Sequence, residues 1–333
     1  MKRQSYISGA PIVNEIIQFT TLAFSDEGRL NMNGIIPLWK PKGMTSHDCV
    51  AIIRKLFKTK KVGHTGTLDP AVEGVLIICI NQATRLVSIF QEESKEYVAE
   101  LSLGKSTTTE DQTGEIVKSK SVSNELTLNE IDAVIQSFIG EIVQVPPMYS
   151  AIRVDGKRLY EYAREGIAVN RPERTVTINH IKRLSSELNR IADDDVRFHI
   201  NINCSSGTYI RTLCVDIGEQ LGYPAHMSYL ERTKQGYFNK DETVTLDEVR
   251  EKVEAGQESD VLLSIDDALR NIDSLIIDDE VTYQFKHGQV LDIPLNLKGK
   301  SLFKIYTKNG QLIALYEQHP TKQNKMKPFT VFN

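Results

Sequence analysis

Residues 63–76 read GHTGTLDPAVEGVL, and the run changes character midway. Its first half, GHTGTLDP, is too polar and too rich in glycine to be core. Its second half opens EGVLIICI (73–80), which is short and β-branched and predicts a buried strand. Gly63 and Gly66 permit backbone angles closed to other residues and let another chain approach closely. Pro70 biases Asp69 away from the helical region. The stretch is therefore a stiff loop feeding a strand, presenting one carboxylate, Asp69, and one imidazole, His64. It lacks the GK[ST] ending of a phosphate-binding loop. On composition alone, a tight turn in which Asp69 caps a backbone amide accounts for it.

Upstream, Met32-Asn33-Gly34 introduces IIPLW, expected to be the first strand. KPKGMTS follows as a turn with Ser46 as a candidate helix cap, and HDCVAIIRKLF as a helix burying Val50, Ile53 and Phe57. Residues 1–31 show no clean period, so they are expected to be a loosely attached extension, or Met32 to be the natural start. Downstream, YVAELSLG (97–104) alternates as a strand. Thr127-x-x-Glu130 is a capping box for a helix that Gly140 is expected to close. VRFHININC (196–204) alternates strictly, with Val196, Phe198, Ile200, Ile202 and Cys204 on one face. SSGTYIRTLCVDIGEQLG turns into a helix that stops at Gly222, and Thr245-x-x-Glu248 opens another. From 276 on, short segments between glycine turns carry more lysines than acids and predict a small basic β-barrel.

The chain has 333 residues, enough for a good core and a second small unit. No apolar run reaches membrane-spanning length, and the N-terminus does not read as a secretory signal, so a cytoplasmic protein is expected. Cys49, Cys79, Cys204 and Cys214 form no CxxC pair or metal-ligand spacing and are expected to be buried, reduced thiols. The net charge of −4 is uneven. Residues 241–280 hold 14 acids against 3 bases, so the remainder is basic and a nucleic-acid partner is permitted. No long heptad seam or apolar stripe asks for a partner chain, so a monomer is expected.

Two further constellations carry chemistry. SSGTYIRT sets Tyr209 and Arg211 two apart at a strand-to-helix junction, where an extended backbone would face them the same way. An arginine facing Asp69 would keep it ionised and fix its direction through a fork of two hydrogen bonds. A surface arginine near a helix N-terminus is the plainer reading. Basic residues cluster between Lys40 and Lys61. Residues 146–166, PPMYSAIRVDGKRLYEYAREG, interleave Tyr149, Tyr160 and Tyr162 with Arg153, Lys157, Arg158 and Arg164. Rings that stack bases beside cations that meet phosphates suit unstacked RNA.

GHTGTLDPAVEGVL, with NGIIPLWKPKGMTSHD, SKEYVAELSLG, VPPMYSA, GKRLYEYAREG, CSSGTYIRTL and HMSYLERT in that order, resembles the TruB family of tRNA pseudouridine synthases from Asn33 to about Phe238. The tail, with GQLIALYEQHP and KPFTVF, is similar to a PUA-like RNA-binding module. The resemblance implies an α+β fold with a mixed, mostly antiparallel central sheet flanked by helices, spanning 32–272, and a small β-barrel at 273–333. It implies isomerisation of uridine to pseudouridine at position 55 in the T-loop of tRNA, with no cofactor or metal. It makes Asp69 the catalytic aspartate, Arg211 its partner, Tyr97 the ring that stacks on the flipped base and Tyr209 its pocket neighbour. His64 is the residue that fills the vacated stack, and Leu230 is an apolar pocket wall. The tyrosine-rich segment at 146–174 would be a flap closing on the T-arm. In one departure, residues 107–114 read TTTEDQTG where many members have TDTxDxxG, so Thr108 replaces an aspartate, and a carboxylate role there would fall to Glu110 or Asp111. A catalytically silent tRNA-binding or tRNA-folding protein is the rival reading. A hydrolase using His64 and Asp69 would lack a serine or cysteine nucleophile motif.

Overall fold

The computed structural model describes residues 32–332, and the expectations for residues 1–31 lie outside the described residues. A ten-stranded sheet forms the centre. In chain order its strands are β1 (Gly34–Lys40), β2 (Val62–His64), β3 (Glu73–Ile80), β4 (Lys95–Leu103), β5 (Gly140–Gln144), β6 (Arg174–Arg183), β7 (Asn189–Ala192), β8 (Asp195–Cys204), β9 (Ala225–Gln235) and β10 (Phe238–Asn239). The spatial order is β1-β3-β9-β4-β8-β6-β5, with β2, β7 and β10 pairing beside β3, β8 and β9. All these pairs are antiparallel except β9 with β3, so the sheet is mixed and mostly antiparallel.

β3 is buried from Gly74 to Ile80, because it lies between β1 and β9 with apolar layers on both faces. β8 buries alternate residues, Val196 to Cys204, as its period of two requires. Helices α1 (Ser46–Leu56), α2 (Leu128–Gln136), α3 (Ile210–Gln220) and α4 (Leu246–Glu254) cover the sheet. On one side Ile131, Ile135, Leu213 and Ile217 meet Leu101, Phe198 and Ile200. Toward β1, Val50, Ile53 and Val249 meet Ile36, Leu76 and Ile78. Capping boxes start α2 at Thr127 and α4 at Thr245, and losing either threonine hydroxyl should cost about 1 kcal/mol.

Two helix boundaries differ from expectation. Thr45 caps α1 through a box with Asp48, and Ser46 is the first helical residue, fully buried. α2 stops at Gln136, and Gly140 instead opens β5 at φ +107°. Gly74 is needed for close approach. A Cβ there would stand 2.2 Å from the carbonyl oxygen of Arg232 on β9, so a side chain would force β3 and β9 apart.

The tail forms a five-stranded sheet: β11 (Ser274–Ile277), β12 (Leu291–Asp292), β13 (Leu302–Thr307), β14 (Leu312–Gln318) and β15 (Lys325–Val331). It curls as a half-barrel around Phe285 of α5 (Asp279–Lys286), a helix that sequence periodicity did not predict. Leu315 and Phe329 also pack with Ile35 and Val75, so tail and central sheet share apolar surface. All four cysteines are buried and unpaired. Among the described residues, no helix is long and apolar enough to cross a membrane.

Candidate active site

The loop between β2 and β3 is tied down along its length. Ser46 Oγ accepts from the Leu68 amide at 2.9 Å and lies 3.4 Å from its carbonyl. The Gly43 amide donates to Pro70 O at 2.8 Å, and the Val72 amide to Asp69 O at 3.0 Å. From β9, Gln235 Nε2 donates to Thr65 Oγ1 at 2.6 Å and Arg232 Nη2 to Gly66 O at 3.2 Å. These anchors satisfy the backbone of a loop that enters the interior and leave the Asp69 side chain little choice of direction. That side chain is 42% exposed.

Facing it is Arg211, whose side chain is only 8% exposed. Gln144 pins the start of α3 by accepting from the Tyr209 amide at 3.0 Å and donating to the Tyr209 carbonyl at 3.2 Å. Tyr209 is therefore the helix cap and Arg211 lies in the first turn, so the extended juxtaposition expected from the sequence is replaced by a helical one. A cation opposes the helix dipole there. Its neighbours compensate: Nη2 lies 3.2 Å from Asp69 Oδ2, and Nη1 lies 3.6 Å from Asp111 Oδ2. The same nitrogens donate to the carbonyls of Thr109 (3.1 Å) and Tyr149 (3.0 Å). Arg211 is thus shared between two carboxylates and two carbonyls, and it does not grip Asp69 alone in a fork.

Asp111, which the sequence offered beside Glu110 in place of the aspartate missing at 108, is the one that faces Arg211. It closes the 107–114 loop by accepting from Thr109 Oγ1 at 2.7 Å and the Thr113 amide at 2.9 Å while facing Arg211. Glu110 accepts from Thr212 Oγ1 at 2.9 Å, and burial pushes its carboxyl pKa up. Thr108 is exposed and accepts from the Glu115 amide at 3.2 Å. The residue that departs from the family pattern therefore braces a turn.

Tyr97 on β4 is directly opposite Arg232 on β9, and Ala99 opposite Leu230. Tyr97 and Leu230 are each 8% exposed and cluster with Leu68 and Val72, which flank Asp69 in sequence. Burial pushes the Tyr97 hydroxyl pKa up, and the Asp69 charge adds to the effect. Tyr209 stacks its ring under the Arg174 guanidinium, 5.5 Å from the centroid. The site thus joins Asp69 to Arg211 by contact and to Tyr97 and Leu230 through one apolar wall.

His64 ends β2, its ring 5.3 Å from that of His47 and nearly perpendicular to it. Its Nδ1 accepts from the Gly66 amide at 3.3 Å. Burial, reinforced by the His47 ring and the Arg232 charge, lowers its pKa to about 4. His64 is therefore a neutral, stackable ring at physiological pH. The unfolded chain would protonate it near 6.5, so folded stability falls as pH drops through that value toward 4. An NMR titration of the His64 ring should give a midpoint near 4; a midpoint near 6.5 would show the ring to be solvated.

The basic stretch is partly internal. Lys40 is fully buried with Nζ on the carbonyls of Pro41 and Met44, contrary to a role on the outer basic face. Lys42 pairs with Glu73 at 3.1 Å. In the 146–166 segment the tyrosines lie against their own neighbours, with Tyr160 between Arg158 and Arg164 and Tyr162 under Lys157. The Tyr149 carbonyl on Arg211 fastens the base of this segment to the site.

Residues 54–210 match the N-terminal domain of TruB family pseudouridylate synthases, and 211–276 the C-terminal domain of tRNA pseudouridylate synthase B. The chain is 49% identical over 299 residues to tRNA pseudouridine synthase B of Halalkalibacterium halodurans, covering 90% of this chain and 97% of that protein. The Bacillus licheniformis enzyme of the same name is 50% identical over 302 residues, 90% of this chain and 97% of its own. A chain in the crystal structure of a Cbf5-Nop10-Gar1 complex superimposes with a TM-score of 0.63 at 30% identity, over 90% of this chain and 84% of that one.

Proposed function

The chain belongs to the TruB family of pseudouridylate synthases and is a tRNA pseudouridine synthase, an isomerase, and from that premise we propose that it acts on the uridine at position 55 of the T-loop with Asp69 as the reacting carboxylate. One observation carries the residue assignment: a half-exposed aspartate on an immobilised loop, aimed by a buried arginine.

The reaction breaks N1–C1′, turns the base and forms C5–C1′. The base rejoins the same sugar, and the proton lost from C5 is balanced by one gained at nitrogen. Asp69 bonds to the sugar carbon or balances the positive charge that develops there. A stacked base cannot reach it, so the nucleotide is everted at a cost of a few kcal/mol. Tyr97 stacks on the everted ring, worth roughly 1–3 kcal/mol. Leu230 walls the pocket, Tyr209 borders it, and neutral His64 fills the gap left in the loop. The sheet of residues 273–333 serves as a PUA-like RNA-gripping domain beside a catalytic domain of 32–272, and the enzyme works in the cytoplasm. The silent-binder reading leaned on Thr108, and Thr108 braces a turn.

The test is a T-arm RNA, unmodified, with chemical mapping of pseudouridine. Product at position 55 and none when that uridine is replaced by cytidine is the expected result; product elsewhere would overturn the site. A second consequence concerns residues 146–174 as a flap. Limited proteolysis should cut there in the free enzyme, and added T-arm RNA should suppress the cut at least about tenfold. Unchanged cleavage would remove the flap.

A further inference from the structure

Arg232 is 1% exposed, and among the described residues no carboxylate lies within ion-pair distance of it. A buried charge without a counter-charge is costly unless its hydrogen-bonding capacity is met. Here it is met by pieces of the site. Nε donates to the Val75 carbonyl at 2.7 Å, on β3. Nη2 donates to the Gly66 carbonyl, three residues before Asp69. Tyr97 is its cross-strand partner, and the guanidinium charge acts on the tyrosine hydroxyl.

The backbone around it is equally determined. Glycine at 74 lets β3 close onto the Arg232 main chain, and a Cβ at Gly66 would stand 3.3 Å from Nη1. Arginine has no acceptor, so a hydrogen bond between the two would run from the guanidinium to the Tyr97 oxygen. We propose that Arg232 is a positioning residue for the isomerisation, one buried guanidinium holding the ring of Tyr97 and the loop that carries Asp69 in a single register. This rests on the reading of Tyr97 as the stacking ring and Asp69 as the reacting group. Arg232 need not touch the substrate; it acts through both.

The experiment compares wild type, Arg232→Lys, Tyr97→Phe and the double variant on T-arm RNA. Single-turnover rate constants are measured with enzyme in saturating excess, and RNA affinity by filter binding. Lysine keeps the charge and loses the planar fork. We expect a fall in rate of about 10- to 100-fold for Arg232→Lys, with affinity within about twofold of wild type. The double variant should lose less than the product of the two single losses, because part of the arginine's effect runs through the Tyr97 hydroxyl. A purely structural role would reduce the folded fraction and leave the rate constant of the folded enzyme unchanged, which overturns the proposal. So do multiplicative losses, or rate and affinity falling together. Should Arg232→Lys fail to give a native circular dichroism spectrum, Tyr97→Phe decides: a rate within about twofold of wild type overturns the link, and a fall of at least about fivefold supports it. Wild type and Asp69→Asn run alongside. No product from wild type, or undiminished product from Asp69→Asn, faults the underlying reading instead.

Discussion

Asp69→Asn leaves T-arm RNA bound and lowers the single-turnover rate of pseudouridine formation by about 10⁴-fold or more. The substitution is nearly isosteric, and the loop is held by contacts to Leu68, Thr65, Gly66 and Pro70 that do not involve the 69 side chain. The variant should therefore fold. Removing one negative charge cannot weaken attraction to phosphates, so affinity should hold or rise slightly. What is lost is the charge that balances the sugar carbon, or the oxygen that bonds to it. A 10⁴-fold change corresponds to about 5.5 kcal/mol of transition-state stabilisation. That is within what removal of a reacting side chain costs in other enzymes. Nucleoside analysis of the product and filter binding of the same RNA make the check. A residual rate within tenfold of wild type would take Asp69 out of the chemistry. Loss of binding in parallel would turn the result into a folding effect.

The legible parts of this molecule were those written in local physics. β3 and β8 follow from a β-branched run and from strict alternation, and the helices opened by Thr127 and Thr245 follow from capping boxes three residues wide. The constrained loop around Asp69 was legible from its glycines and proline, whereas the catalytic reading of Asp69 came from the family resemblance. The rest of the site depends on register between distant strands. Nothing in HMSYLERT says that Arg232 lies opposite Tyr97, since that pairing follows from the order β9-β4 and a bulge between Arg232 and Lys234. Ser46 reads as a helix cap because serine favours that position; Thr45 takes the cap and frees Ser46 for the Leu68 backbone, 22 residues away. Lys40 sits in a run of bases and reads as surface, yet β1, at the edge of the sheet, is buried along nearly its whole length and carries it inward. The sequence left Glu110 and Asp111 equally open as stand-ins for the aspartate missing at 108, and only the fold, which carries that loop to Arg211, shows Asp111 to be the one facing it.

Arg211→Met separates what that contact does for stability from what it does for catalysis. The guanidinium stands between Asp69 and Asp111 and also serves two carbonyls, all within 3.6 Å. Methionine fills much of the volume and strands the Asp111 carboxylate, whose side chain is only 14% exposed. Breaking a buried pair by removing one partner costs about 3–5 kcal/mol. The half-exposed Asp69 regains water and contributes less, so the lower end of that range is expected. Catalysis should fall about 10³-fold, because Asp69 loses the group that aims it. Arg211→Lys should recover part of the stability and little of the rate, since one ammonium cannot reach four acceptors arranged around a plane. The decisive variant is Arg211→Met with Asp111→Asn. Neutralising the stranded acid should restore a large part of the lost stability in thermal melts, while the single-turnover rate stays as low as in Arg211→Met alone. If the double variant regains activity along with stability, Arg211 is a structural brace. If neither returns, the 107–114 loop depends on the Asp111 charge for its own closure through Thr109 and Thr113, and the ion pair with Arg211 is secondary to it.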